Sequence, residues 1–181
     1  MDQNPYSTGD QQSVGNVGLL GPKFDGSIRV MQIISVALMM GVLSFLLVVL
    51  VLTQGEVLGL KKPDIISLLA AGFGLVMFVN HLIIPGVIAK QQLKKTAENG
   101  LGGTDEESQS FKVAGIYQTQ LIVALAMLEA AAFFNLVAML VEKNGLNLIV
   151  VVVFLSLMLM KFPTRTNVSW WVQDRLTELN K

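Results

Sequence analysis

The stretch VAGIYQTQLIVALAMLEAAAFFNLVAMLV, residues 113–141, decides the fold, because Glu129 is its only charged side chain. A helix needs about 20 apolar residues to cross the hydrocarbon core of a membrane. A carboxylate in the middle of such a stretch is energetically costly, so residues of this kind are rare and usually functional. The sequence therefore predicts a membrane-spanning helix and makes Glu129 the first candidate for a functional residue.

Three further apolar runs share this character, and the chain as a whole is 52% hydrophobic and only 14% charged. A soluble domain usually carries about 25% charged residues. We therefore predict an all-α membrane protein, a bundle of four transmembrane helices. The predicted spans are residues 30–52, 65–89, 113–141 and 145–162.

The segments outside the spans divide the chain into three parts. Residues 1–28 are rich in Asn, Gln, Ser and Gly, which predicts a disordered cytoplasmic tail. Residues 29–163 form the predicted transmembrane domain. Residues 164–181 carry an apolar stripe and two tryptophans, a pattern typical of an amphipathic helix on the cytoplasmic membrane surface.

The orientation follows from the distribution of lysine and arginine. Ten of the 13 cationic residues lie on the side of the termini, and three lie on the other side: Lys61, Lys62 and Lys143. Cytoplasmic loops of membrane proteins carry an excess of positive charge. We therefore predict a multi-pass protein of the plasma (inner) membrane with both termini in the cytoplasm.

A shift of 88 residues aligns the first span with the third, pairing Gln32 with Gln120 and Phe45 with Phe133. This match fits two duplicated hairpins, although apolar helices also give such matches by chance. Both interpretations stay open from the sequence.

The composition also excludes several classes of function. The chain has no cysteine, which excludes disulfides and thiolate chemistry, and its net charge of zero gives no reason to expect a nucleic-acid partner. The buried serines have no aspartate nearby, and the single histidine has no carboxylates at its depth. We therefore expect no catalytic residues, no metal site and no cofactor.

Small side chains surround Glu129 in the third span and recur in the second. Small residues allow transmembrane helices to approach closely, so we expect Glu129 to face a seam between helices, with Ser35 and Ser44 as candidate hydrogen-bond partners. The predicted packing residues are Ser67, Ala70, Ala71, Gly74, Ala126 and Ala130.

Four polar residues form a predicted layer in the cytoplasmic half of the spans: Asn80, His81, Gln118 and Gln120. At a rise of 1.5 Å per residue, His81 lies at a depth of about 12 Å and Gln118 at about 8 Å. This layer is either one end of a water-linked relay towards Glu129 or a set of hydrogen bonds between helices.

The segment LAMLEAAAFFNLV, residues 125–137, resembles the carboxylate helix of F-type ATP synthase subunit c. In that family a Leu-Ala-x-x-Glu-Ala core precedes an aromatic residue and Leu-Val, and the polar residues 118–120 are similar to the lead-in of some members. The resemblance implies that Glu129 binds a proton or sodium ion. The chain as a whole resembles small four-helix bacterial integral membrane proteins.

Two functions lead after these exclusions, and an enzyme that acts on lipid comes third. The first is a non-catalytic interaction or structural component of a membrane complex, with the lipid bilayer and a homo-oligomer or another membrane protein as partners. The alternative is proton or cation translocation through Glu129.

Overall fold

The computed structural model describes residues 21–56, 59, 62–98 and 106–179, and apart from a 3₁₀ turn at Glu56 the regular secondary structure in these ranges is α-helical. The five helices are α1 (Pro22–Leu52), α2 (Ile65–Glu98), α3 (Glu106–Glu142), α4 (Leu146–Met160) and α5 (Arg165–Leu179). The prediction of an all-α fold is confirmed.

Three of these helices, α1, α2 and α3, are each long and apolar enough to cross a membrane. The shorter α4 meets α5 at an angle of 64°, and the pair counts as a fourth candidate span only if both helices are taken together. The outward faces of α1 and α2 expose large apolar side chains such as Ile33, Leu47 and Leu75, each more than 60% exposed. Three to four apolar spans with apolar outer faces indicate a membrane protein.

The central element of the fold is α3. Half of its most apolar window (50%) is buried, against 22% for each of α1 and α2. The other four helices all pack on α3. Its interior residues alternate between alanine and larger side chains such as Leu128, Leu136 and Met139, all of which are fully buried. Small side chains on several faces allow several helices to approach α3 at once.

The contacts of α1 and α2 differ from those of a hairpin. Each packs extensively on α3, whereas the contact between α1 and α2 is marginal at most. The described helices therefore do not form the two duplicated hairpins that one interpretation of the internal repeat required. The physical reason is the central position of α3, which separates α1 from α2.

The first helix begins earlier than the sequence predicted. Residues 1–20 of the predicted disordered tail lie outside the described residues, but α1 starts at Pro22, eight residues before the predicted span. Proline is favourable at the first position of a helix, and Asp25 in the first turn suits the positive end of the helix dipole. Phe24 is fully buried and Ile28 nearly so, so packing extends α1 beyond its uncharged run.

The C-terminal helix packs on the protein and does not lie free on a surface. Val168 and Val172 of α5 are fully buried, and the rings of Trp171 and Tyr117 of α3 lie 5.2 Å apart. Trp170 points outward and is 71% exposed. The predicted helical stripe is therefore present, but its apolar side covers α3.

The corner between α4 and α5 is fixed to α1 by two polar contacts. The side-chain amide of Gln32 donates a hydrogen bond to the carbonyl of Pro163 at 3.1 Å. The Nε of Arg165 lies 3.1 Å from the carboxylate of Asp25. These contacts hold the bend and place α5 beside the start of α1.

Candidate functional site

Glu129 lies in the groove between α3 and α1. A Cβ atom added to Gly41 of α1 would lie 3.4 Å from the Glu129 Oε1, so the carboxyl stands directly against this glycine. One turn along both helices, the rings of Phe45 and Phe133 lie 5.4 Å apart. Glu129 itself is half-buried, so the residue lies at the edge of the groove and not fully inside it.

Within the described part of the chain, the Glu129 carboxyl makes no hydrogen bond and no ion pair. Ser35, one predicted partner, donates its hydroxyl to the carbonyl of Met31 in its own helix at 2.8 Å. Ser44, the other, is exposed. The fold therefore leaves a polar group in the middle of an apolar span without a partner among the described residues.

The predicted packing residues separate into two groups. Ser67, Ala70 and Gly74 are buried where α2 packs on α3, as the close-packing expectation requires. The other three are exposed, namely Ala71, Ala126 and Ala130. The prediction that Ala71, Ala126 and Ala130 pack between helices is therefore wrong for the contacts within this chain.

The physical reason is that α2 packs on a different face of α3 from the one that carries Glu129. α2 packs on the face that carries Asn135, which lies six residues beyond Glu129 and therefore about 240° further round the helix. The side-chain amide of Asn135 donates to the carbonyl of Ala70 of α2 at 3.2 Å and to that of Ala131 at 2.9 Å. Ala126 and Ala130 consequently flank Glu129 on the outer surface.

Asn135 is a polar anchor that the sequence reasoning missed. It is fully buried, and its Oδ1 has no hydrogen-bond partner among the described residues. The available signal was an amide side chain six residues beyond Glu129 in the same apolar run. A buried amide that bonds a neighbouring helix fixes the register of α2 on α3.

A second missed cluster joins three helices at the end of α3. The backbone N–H groups of Ile66 and Ser67 donate to the Glu142 carboxylate at 2.7 and 3.0 Å, and the Ser67 hydroxyl donates to it as well. The Asn147 side chain of α4 donates to the Ser67 hydroxyl at 2.7 Å. A carboxylate here satisfies N–H groups that the first turn of α2 leaves without partners.

The structure brings together two of the four residues of the predicted polar layer. The Nδ1 of His81 lies 3.0 Å from the Ala124 carbonyl, which can only accept, so this nitrogen donates the hydrogen bond. His81 and Gln120 line one cavity of about 180 Å³, beside the end of α4. Asn80 and Gln118 are not among the residues that line it.

His81 and Glu129 lie on different sides of α3. His81 reaches α3 from α2, whereas Glu129 faces α1. This arrangement gives no support to a relay between the two. In the ranges that the structure describes, no group of three or more His, Cys, Asp or Glu side chains could hold a metal ion.

Comparison of the chain with known protein families, with curated proteins and with solved structures finds no match. The resemblance of residues 125–137 to ATP synthase subunit c stays a prediction from the sequence. The geometry of the residues around Glu129 is therefore the basis for a functional proposal.

Proposed function

We propose that this protein is a non-catalytic structural component of a complex in the plasma (inner) membrane, assembled through the groove that carries Glu129. The supporting observation is the half-buried Glu129 carboxyl, which has no partner among the described residues. A polar side chain in a membrane span generally faces another helix or a water-filled cavity. A second membrane helix seated in this groove would supply both apolar cover and a hydrogen bond.

The partner that fits this groove is a second copy of the chain. A neutral carboxyl can both donate and accept hydrogen bonds, so two Glu129 side chains related by a two-fold axis are complementary to each other. Ala126 and Ala130 are exposed on either side of Glu129 and would let the second helix approach closely.

The distribution of charge supports cytoplasmic termini. Among the described residues, nine cationic side chains lie towards the end of the helices where the chain starts and finishes: Lys23, Arg29, Lys90, Lys94, Lys95, Lys112, Lys161, Arg165 and Arg175. Only Lys62 and Lys143 lie towards the other end. Excess positive charge marks the cytoplasmic side of a membrane protein.

The absence of cysteine allows a direct test of the interface by oxidative cross-linking in membranes. We expect Ala130→Cys to give disulfide-linked dimers, because this position lies on the proposed interface. Val76→Cys is the matched control, because Val76 lies at the same depth as Glu129. The contacts of His81 with Ala124 and of Ala70 with Asn135 fix the antiparallel register of α2 and α3, and this register places Val76 level with Glu129. Val76 is 55% exposed on the outer face of α2.

Replacement of Glu129 should weaken this dimer. Hydrogen bonds between transmembrane helices contribute about 1–2 kcal/mol, so Glu129→Leu should lower the dimerisation constant roughly tenfold, whereas Glu129→Gln should retain most of it. Resonance energy transfer between labelled copies at increasing lipid dilution measures this constant. Equal cross-linking at positions 130 and 76, or an unchanged constant in Glu129→Leu, would contradict the proposed interface.

Proton or cation translocation through Glu129 is the second candidate, and partial exposure of the carboxyl is the observation that favours it. Translocation requires the carboxyl to reach an aqueous path, which a carbodiimide reagent detects. Labelling of Glu129 in membranes that sodium suppresses would favour this function. The Glu129→Gln variant separates the two candidate functions. It should preserve dimerisation of the chain but abolish both carbodiimide labelling and ion flux.

A further inference from the structure

We propose that the protein binds an anionic phospholipid with a hydroxyl-bearing headgroup, of the phosphatidylglycerol type, in a cleft between α2, α3 and α5. This site lies on another side of α3 from Glu129 and is independent of the proposed dimer. Two neighbouring cavities that share Gly86 and Gln120 form the cleft. It lies towards the end of the protein that carries most of the cationic side chains.

The outer cavity, of about 420 Å³, has the charge that a lipid phosphate requires. Lys90 and Arg175 line it together with Trp171, and Glu178 is the one anionic residue of the lining. Lys161 lines the inner cavity, so cations outnumber anions three to one along the cleft. Basic pockets between transmembrane helices at this level are typical sites for anionic lipid headgroups.

The ion pairs leave two of these cations available. Arg175 is paired with Glu178 and, at 3.7 Å, with Asp174, and it lies 5.7 Å from the centre of the Trp171 ring, so it is held in place at the rim. Lys90 and Lys161 form no ion pair with any described residue. A phosphate between Lys90 and Arg175 would therefore meet one oriented guanidinium and one free ammonium group.

Gln120, at the junction of the two cavities, indicates what else the ligand carries. Its Oε1 is buried and has no hydrogen-bond partner among the described residues. A buried acceptor without a partner is costly, and a phosphate oxygen cannot donate to it. The Gln120 side chain as a whole is half-buried and lines both cavities, so a turn of its amide brings the oxygen to the cleft, where a headgroup or glycerol hydroxyl next to the phosphate would supply the missing donor.

The inner cavity suits the apolar part of the same molecule. Leu82, Pro85 and Leu121 line it. Leu82 is 63% exposed, so the cavity continues onto the lipid-facing surface of α2. An acyl chain can leave the cleft along this surface without crossing a polar region. Continuity with the lipid phase favours a phospholipid over a soluble phosphate compound.

The test is native mass spectrometry of the full chain from nanodiscs that contain equal amounts of phosphatidylglycerol and phosphatidylcholine. We expect retained phosphatidylglycerol to exceed phosphatidylcholine several-fold. Lys90→Gln combined with Lys161→Gln should lower this ratio about fivefold or more. Gln120→Leu should lower it while leaving every charge in place. The matched control is Lys94→Gln, which removes a charge on α2 that is 80% exposed and faces Glu98 at 3.9 Å.

Three results would overturn the proposal. The first is equal retention of the two lipids by the unmodified protein. The second is a loss in Lys94→Gln as large as that in the double variant, which would mean attraction by general surface charge. The third is full displacement of phosphatidylglycerol by inorganic phosphate, which would make the cleft a site for a soluble anion. A dimer that fails to form at Glu129 would leave all these measurements unchanged.

Discussion

Replacing Gly74 by leucine should lower the free energy of unfolding by about 2–4 kcal/mol. Gly74 lies where α2 meets α3 and α4, and a Cβ atom placed on it would lie 3.2 Å from the Phe154 ring and 3.3 Å from the Asn135 amide nitrogen. A leucine side chain therefore has no room and would displace the amide that bonds Ala70. Reversible unfolding in mixed detergent micelles measures the change.

Gly72 of the same helix is the matched control for this prediction. A Cβ atom at Gly72 would meet nothing within 4 Å, and the position faces outward. Gly72→Leu should leave stability within about 1 kcal/mol of the unmodified protein, because leucine favours a helix over glycine. Equal losses at positions 72 and 74 would show that α2 does not pack on α3 and α4 as described.

Replacing Ser67 by alanine should lower the free energy of unfolding by about 1–3 kcal/mol. The Ser67 hydroxyl is buried, donates to the Glu142 carboxylate and accepts a hydrogen bond from Asn147 at 2.7 Å. Its removal leaves the Asn147 amide without this acceptor in a buried position. The same unfolding measurement in mixed micelles gives the magnitude.

Ser156→Ala is the control, because Ser156 is exposed and donates only to the carbonyl of Val152 one turn earlier in its own helix. This substitution should change stability by less than about 0.5 kcal/mol. A double-mutant cycle of Ser67→Ala with Glu142→Ala should show strong coupling, since both side chains belong to one hydrogen-bond cluster. Additive losses would mean that the two residues act separately.

The two sets of contacts around Gly74 and Ser67 explain why Glu129 is only half-buried. The α2 helix is fixed to α3 in the middle by Asn135 and Gly74, and at its start by Ser67 and Glu142. Both contacts lie away from the side of α3 that carries Glu129, where α1 places Gly41 against the carboxyl. The packing of α2 on α3 therefore leaves Glu129 half-buried and without a hydrogen-bond partner among the described residues.

The sequence by itself determined the type of secondary structure and the position of the long helices. Long apolar runs in residues 30–52, 65–89 and 113–141, with Glu129 as their one charged residue, favour helices with apolar outer faces, since backbone groups in lipid must be satisfied within the segment. The isolated charge at Glu129 was equally visible. Helix ends were less predictable, because the start of α1 combines local signals at Pro22 and Asp25 with the burial of Phe24, which depends on long-range packing.

Only the tertiary structure decided which polar residues meet. All four members of the predicted layer are polar in the sequence, yet only His81 and Gln120 share a cavity. Depth along a span follows from counting residues, whereas the direction of a side chain depends on the rotation of each helix about its axis. That rotation is set by long-range contacts such as Asn135 to Ala70, 65 residues apart. These contacts gave α3 its central position and left Glu129 half-buried on the side that faces α1.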